Sequence, residues 1–303
     1  MKKNSFLEQA QNGRNDFWRY LLVTGLIIFI SFWISLLASV ITIYFEGTDP
    51  NKYSEITLLL LGLIPFPFLL LTLWAGVRFL HKRSFLSLIT PLKHIRWGRI
   101  IFAFGVWFIL AAASDIVLSI FQPGNYRWSF DLVRFIPYCL IAIILLPIQT
   151  STEELIFRGY YTQAFSRLSP KIWLPLIVPS IVFGLLHSFN PEVGMYGFLL
   201  TIPYYIGFGL MLGWITIQSQ SLELSLGIHL ANNLYASFAV TFPGSALSSP
   251  ALFSIQKYDP VAALIVFFAM AALFILIMLT VGKRWFVPPT YDPEDTPFNP
   301  TIE

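Results

Sequence analysis

The chain has 303 residues, of which 56% are hydrophobic, 17% aromatic and only 12% charged, about half the roughly 25% charge of an ordinary soluble domain. Its mean hydropathy is +0.70, and apolar runs recur along nearly the whole chain, which excludes a large soluble domain held by one anchor. The net charge of +3, from 19 Lys and Arg against 16 Asp and Glu with no long basic tract, argues against a nucleic-acid partner.

Taken in chain order, residues 1–16 read as a cytoplasmic N-terminal segment. Apolar runs able to cross about 30 Å of hydrocarbon at about 1.5 Å per residue follow at 17–45, 56–80, 100–121, 132–150, 172–188, 195–218, 222–241 and 260–281. They predict an all-α fold, a polytopic membrane helical bundle of about eight transmembrane helices within 17–284, multi-pass in the cell membrane. The first run is too long for a signal-peptide core and follows acidic Glu8 and Asp16, so it reads as a retained helix. Residues 81–99 are basic and read as an interfacial segment on anionic lipid, with Trp97 at headgroup depth. Residues 285–303 read as a disordered, acidic, proline-rich cytoplasmic tail. The lone cysteine, Cys139, lies in an apolar run and allows no intrachain disulfide. Neither short repeats nor inverted halves are visible, which argues against the common carrier folds.

With both termini inside, the inner side collects 15 of the basic residues and the outer side 4, namely Lys52, Arg127, Arg134 and Lys257. This split follows the positive-inside rule and supports an even number of spans.

Ionisable groups within spans are expensive and therefore point to a site. They are Asp115 in the third run, Glu153, Glu154 and Arg158 continuing the fourth, His187 ending the fifth, and His229 with Asn232 and Asn233 in the seventh. The fourth run continues without a breaker to Ser169-Pro170, predicting one long helix over 132–168. A turn there sends the next helix back antiparallel, and 153 and 187 are equidistant from residue 170, so both groups lie about 25 Å above the turn. Glu154 and Arg158 are spaced i, i+4 in the favourable acid-before-base order and predict an ion pair. Glu153 is turned about 100° away and is free to face another helix. Phe183 and His187, and His229 and Asn233, are again i, i+4 pairs. Asp115 reads as structural, and Glu223 as a dipole-compensating residue at the start of a helix.

A carboxylate and a neutral imidazole at one depth can share and polarise a water molecule. A second imidazole with a carboxamide supplies donors to the oxyanion formed when water attacks a carbonyl. The set is that of a hydrolase cleaving an amide by direct water attack. Glu153, His187 and His229 with a water also make up the donor set of an open catalytic zinc site, so both metal-free and zinc-assisted water activation remain compatible with the string. HExxH, GxSxG and GxGD motifs are absent from the sequence.

Three segments together carry a family resemblance. EELIFR (Glu153 to Arg158), FGLLH (Phe183 to His187) and HLANN (His229 to Asn233) resemble the EExxxR, FxxxH and HxxxN motifs of the CPBP, or Abi, group of intramembrane proteases, which includes the type II CAAX prenyl endopeptidases. The resemblance covers about residues 130–240. It implies an intramembrane endopeptidase in which Glu153 activates water with His187, Glu154 and Arg158 support the site together with Phe183, and His229 and Asn233 stabilise the oxyanion. The implied partners are a membrane-associated peptide or protein substrate and the lipid bilayer, with no cofactor beyond the zinc alternative. The rival reading of the same polar cluster is a non-catalytic membrane scaffold or immunity protein, or a transporter, that uses it for binding.

Overall fold

The structure is a computed structural model and describes residues 5–287. Among the described residues six helices are long and apolar enough to cross a membrane: α1 (Phe17–Glu46), α2 (Glu55–Leu80), α3 (Trp97–Phe121), α4 (Leu132–Ser166), α6 (Phe198–Ser219) and α8 (Pro260–Leu279). The remaining two expected spans are also helices but are shorter. Helix α5 (Trp173–Leu186) continues as a tighter turn to Phe189, and α7 (Glu223–Phe238) has only 16 residues, about 24 Å of length. The eight expected runs thus match eight helices in position, and six of them in spanning length. Helix α7 is shorter than its apolar run because Val240 and Thr241 belong to a strand, and α5 stops where Asn190-Pro191 begins a separate short helix.

Side chains too bulky for close approach are absent where the central helices cross. On α5, Ser180 and Gly184 face α6, where a Cβ on Gly209 would lie 3.1 Å from the Ser180 Cα and one on Gly184 would run into Ile206. On α7, a Cβ on Gly227 would collide with the Ile100 carbonyl of α3. Small residues at such crossings let backbones pack closely where apolar burial alone gives no preference for protein over lipid. Trp107 of α3, fully buried, fills the centre against Phe208 of α6 and Phe267 and Phe274 of α8. By contrast α1 buries only Tyr20, Val23 and Ile27 and turns Phe29, Phe32 and Trp33 outward, the pattern of a peripheral helix in lipid.

The two ends of the bundle differ. At one end the N-terminal segment is docked: Phe6 and Ala10 are fully buried, and the carbonyls of Phe6, Gln9 and Ala10 accept hydrogen bonds from Gln163, Arg83 and Arg167. The segment 81–99, placed by the sequence at the lipid surface, folds inward here as well. His81, Arg83, Leu88 and Thr90 are buried, and the Leu222 amide donates to the Ile89 carbonyl at 2.7 Å. Trp97 itself is exposed. The physical reason is that this segment closes the bundle, with Arg83 donating to the Gln9 carbonyl and Arg96 and Arg99 meeting the buried Glu223 carboxylate. Trp285, at the start of the expected tail, stacks on Phe102, while 288–303 lie outside the described residues.

At the other end, β1 (Tyr126–Trp128), β2 (Val240–Thr241) and β3 (Phe253–Ile255) form a small sheet of order β1-β3-β2, antiparallel between β1 and β3 and parallel between β2 and β3. Helices α2, α4 and α8 start at this end with Ser54, Asp131 and Asp259 accepting hydrogen bonds from first-turn amides, as N-caps do.

Candidate active site

Helix α4 is continuous through Glu153 as the sequence predicts, but it changes pitch immediately after the paired glutamates. Leu155–Tyr161 is π-helical, and the Thr162 hydroxyl donates to the Phe157 carbonyl five residues back at 3.0 Å. Gly159 in this stretch lets Leu88 approach, since a Cβ there would lie 3.0 Å from the Leu88 carbonyl oxygen. Such wide turns recur at functional sites because they rotate side chains out of the regular helical register.

Glu154 is fully buried. Its Oε1 accepts from Arg158 at 2.8 Å and faces His229 Nδ1 at 2.7 Å, so the i, i+4 ion pair is present and extends to α7. The Arg158 guanidinium lies 4.1 Å from the centre of the Phe183 ring, a cation–π contact strengthened by exclusion of water. Phe183 thereby forms the floor under the site and packs edge-on to Phe157.

Glu153 points away from this pair, as its 100° offset requires. Its Oε2 is buried, has no hydrogen-bond partner in the protein, and lies 3.5 Å from His229 Nε2. His229 is therefore held between the two glutamates, which the spacing of residues on its own helix could not reveal. The sequence pairs Glu153 with His187; in the structure both line one cavity, and the imidazole in ion-pair range of Glu153 is that of His229. His187 directs Nδ1 to the Phe183 carbonyl at 2.7 Å, so that nitrogen carries the hydrogen and Nε2 is left as an acceptor.

Asn233 donates to Gln149 Oε1 at 3.0 Å, which leaves its second amide hydrogen available. Its neighbour Asn232 accepts from Trp107 and Tyr204. The cavity these groups surround has a volume of about 460 Å³, within the range of small-ligand sites. Asp115, higher on α3, accepts from the hydroxyls of Tyr126 and Tyr235 at 2.7 and 2.8 Å, tying β1 and α7 together.

Several residues of this wall were not singled out by sequence reading. Gln149 precedes Glu153 by one helical turn, so spacing alone offered a signal. Tyr205 stacks on His187 with ring centres 4.2 Å apart; its hydroxyl donates to Glu192 and receives a hydrogen bond from Asn190 at 3.0 Å. Nothing in the sequence links these positions, because the contact depends on how α5 and α6 cross. Among the described residues no group of three His, Cys, Asp or Glu side chains is arranged to hold a metal ion.

Fold and site together define a multi-pass membrane protein with a carboxylate–imidazole centre enclosed by its helices. The chain belongs to the type II CAAX prenyl endopeptidase Rce1-like family, whose sequence profile matches residues 129–235, the stretch that contains all three motifs. The uncharacterized protein YyaK of Bacillus subtilis (strain 168) is 35% identical over 269 residues, 85% of this chain and 89% of the relative. No solved structure matches significantly. Membership supports membrane protease activity at the level of the class.

Proposed function

We propose that the protein is a glutamate-dependent intramembrane endopeptidase that hydrolyses a peptide bond of a membrane-associated protein or peptide. The observation that carries this reading is Glu153: a buried carboxylate with an oxygen that has no hydrogen-bond partner in the protein, on the wall of a cavity that also presents His187 and His229. A desolvated carboxylate is costly, and in a cleft with convergent donors it serves as a general base.

In this mechanism a water molecule bound between Glu153 and His187 Nε2 loses its proton to Glu153 as its oxygen attacks the scissile carbonyl carbon. The negative charge passes to the carbonyl oxygen, which accepts hydrogen bonds from His229 Nε2 and the second amide hydrogen of Asn233. Arg158 holds Glu154, and Glu154 fixes His229 through Nδ1 and offsets the charge that the ring carries when Nε2 also donates. Collapse of the intermediate breaks the C–N bond, and the proton held by Glu153 goes to the leaving amine. A positioned base contributes about 10²–10⁴ in rate.

The test is a comparison of peptide termini in membrane fractions carrying the wild-type protein, Glu153→Gln or His187→Ala, each shown to be folded and inserted. Termini present with the wild type and lost with both variants are expected. Undiminished turnover in both overturns the mechanism, and partner capture without any cleavage, unaffected by Glu153→Gln, replaces it with a scaffold. Zinc assistance is read in the same material from stoichiometric metal that disappears with His229→Ala.

A further inference from the structure

The cavity is not centred in the bundle. Below Glu153 the helices are packed shut: Leu155, Ile156, Phe183, Leu212, Leu224 and Ile228 are all buried, and beneath them lie the docked N-terminal segment and the inward-folded 81–99 segment. Above Glu153 the cavity wall climbs past Ser114 and Asp115 of α3 to Gln122, Asn125 and Lys257 beside the β-sheet. The catalytic groups thus communicate with one end of the molecule, the end that bears the sheet.

That end is also the one poor in basic residues. Lys52, Arg127, Arg134 and Lys257 are its four, whereas the opposite end holds twelve among the described residues, with Arg158, buried beside Glu154, set apart. Basic residues in short loops are retained on the cytoplasmic side. Combining the two observations, we propose that the chamber opens to the extracytoplasmic face, and that its substrate is a peptide segment presented there, at the outer leaflet or beyond it, rather than one delivered from the cytoplasm. The wall chemistry fits an extended segment with apolar residues near the scissile bond: Trp107, Tyr204, Phe208 and Phe267 line the deeper part and amides and Lys257 the mouth.

This inference rests on the proteolytic reading for its substrate, but the direction of opening is measurable without activity. In a Cys139→Ser background, Ser114→Cys places one thiol on the cavity wall, Lys257→Cys one at the mouth, and Lys171→Cys one on the opposite end. A small, charged, membrane-impermeant thiosulfonate added to intact cells is expected to modify Ser114→Cys and Lys257→Cys to completion, and Lys171→Cys only after permeabilisation. Modification of Ser114→Cys only from the cytoplasmic side, or from neither side, overturns the proposal. Where the labelling is as expected, termini that depend on Glu153 should map to extracytoplasmic segments. Glu153-dependent termini confined to cytoplasmic segments overturn the substrate assignment, while outward labelling with no such termini indicts the proteolytic reading and leaves the opening in place.

Discussion

Each end of the bundle carries an arginine–glutamate contact, and the two have opposite surroundings. At the closed end, Glu223 at the start of α7 is fully buried, 2.8 Å from Arg96 and 3.2 Å from the equally buried Arg99, and it also accepts from the Arg96 backbone amide at 2.7 Å. At the sheet-bearing end, Arg134 meets Glu55 with side chains 57% and 26% exposed. The same chemical pair is a structural rivet in one place and a solvated contact in the other. The difference shows which end is built to stay shut: a carboxylate with no access to water depends on its partners, whereas a partly exposed one does not.

The largest effect is therefore expected at Glu223. Removing one member of a buried pair leaves the others uncompensated and costs about 3–5 kcal/mol, a large part of the roughly 5–15 kcal/mol by which proteins are stable. Glu223→Ala should strongly lower the thermal midpoint of the detergent-solubilised protein. It should also disturb the site, since α7 carries His229 two turns further on. An unchanged midpoint would mean that the closed end is hydrated and would break the contrast.

A smaller effect is expected at His81, which lies outside the spans beneath the docked N-terminal segment. Its Nδ1 faces the Arg14 carbonyl at 2.9 Å and its Nε2 the Tyr160 hydroxyl at 2.8 Å, an arrangement a neutral ring satisfies by donating from the first nitrogen and accepting at the second. Burial, helped by the nearby Arg83, pushes its pKa from 6.5 down to about 4. Between those values the unfolded chain binds a proton that the folded one does not, so stability falls as the pH drops from 6.5 toward 4. The contribution is complete above 6.5. Thermal midpoints taken at pH 7 and pH 5 should therefore differ, and His81→Gln should reduce that difference. An equal difference in the variant would place the acid sensitivity elsewhere.

How much of this was legible in the sequence depends on the range of the contact. The long helices were readable because a span must satisfy its backbone internally and expose an apolar surface, a demand written on every residue. The Glu154–Arg158 pair was readable because both members share one helix. His229 against the two glutamates was not, since it depends on how α7 packs against α4. Glu223 could be placed at a helix start, but its arginine partners come from 124 and 127 positions earlier, and no periodicity connects them. The three strands, each of two or three residues, carry too little alternation to register. The π-helical turn after Glu154 is likewise silent in composition, and it shows only in the backbone of Leu155–Tyr161 and in Thr162 reaching the Phe157 carbonyl.

The smallest effect is expected at the open end. An exposed ion pair gains little Coulomb energy in water and costs side-chain entropy, which leaves about 0–1 kcal/mol, and salt screens most of what remains. Arg134→Ala and Glu55→Gln should each shift the thermal midpoint only slightly, and raising the ionic strength should erase even that shift. The double variant should behave as the sum of the singles, because a pair whose coupling is near zero leaves nothing for a mutant cycle to detect. A coupling as large as that of a buried pair would mean that this end is as dry as the closed one and would remove the contrast between them.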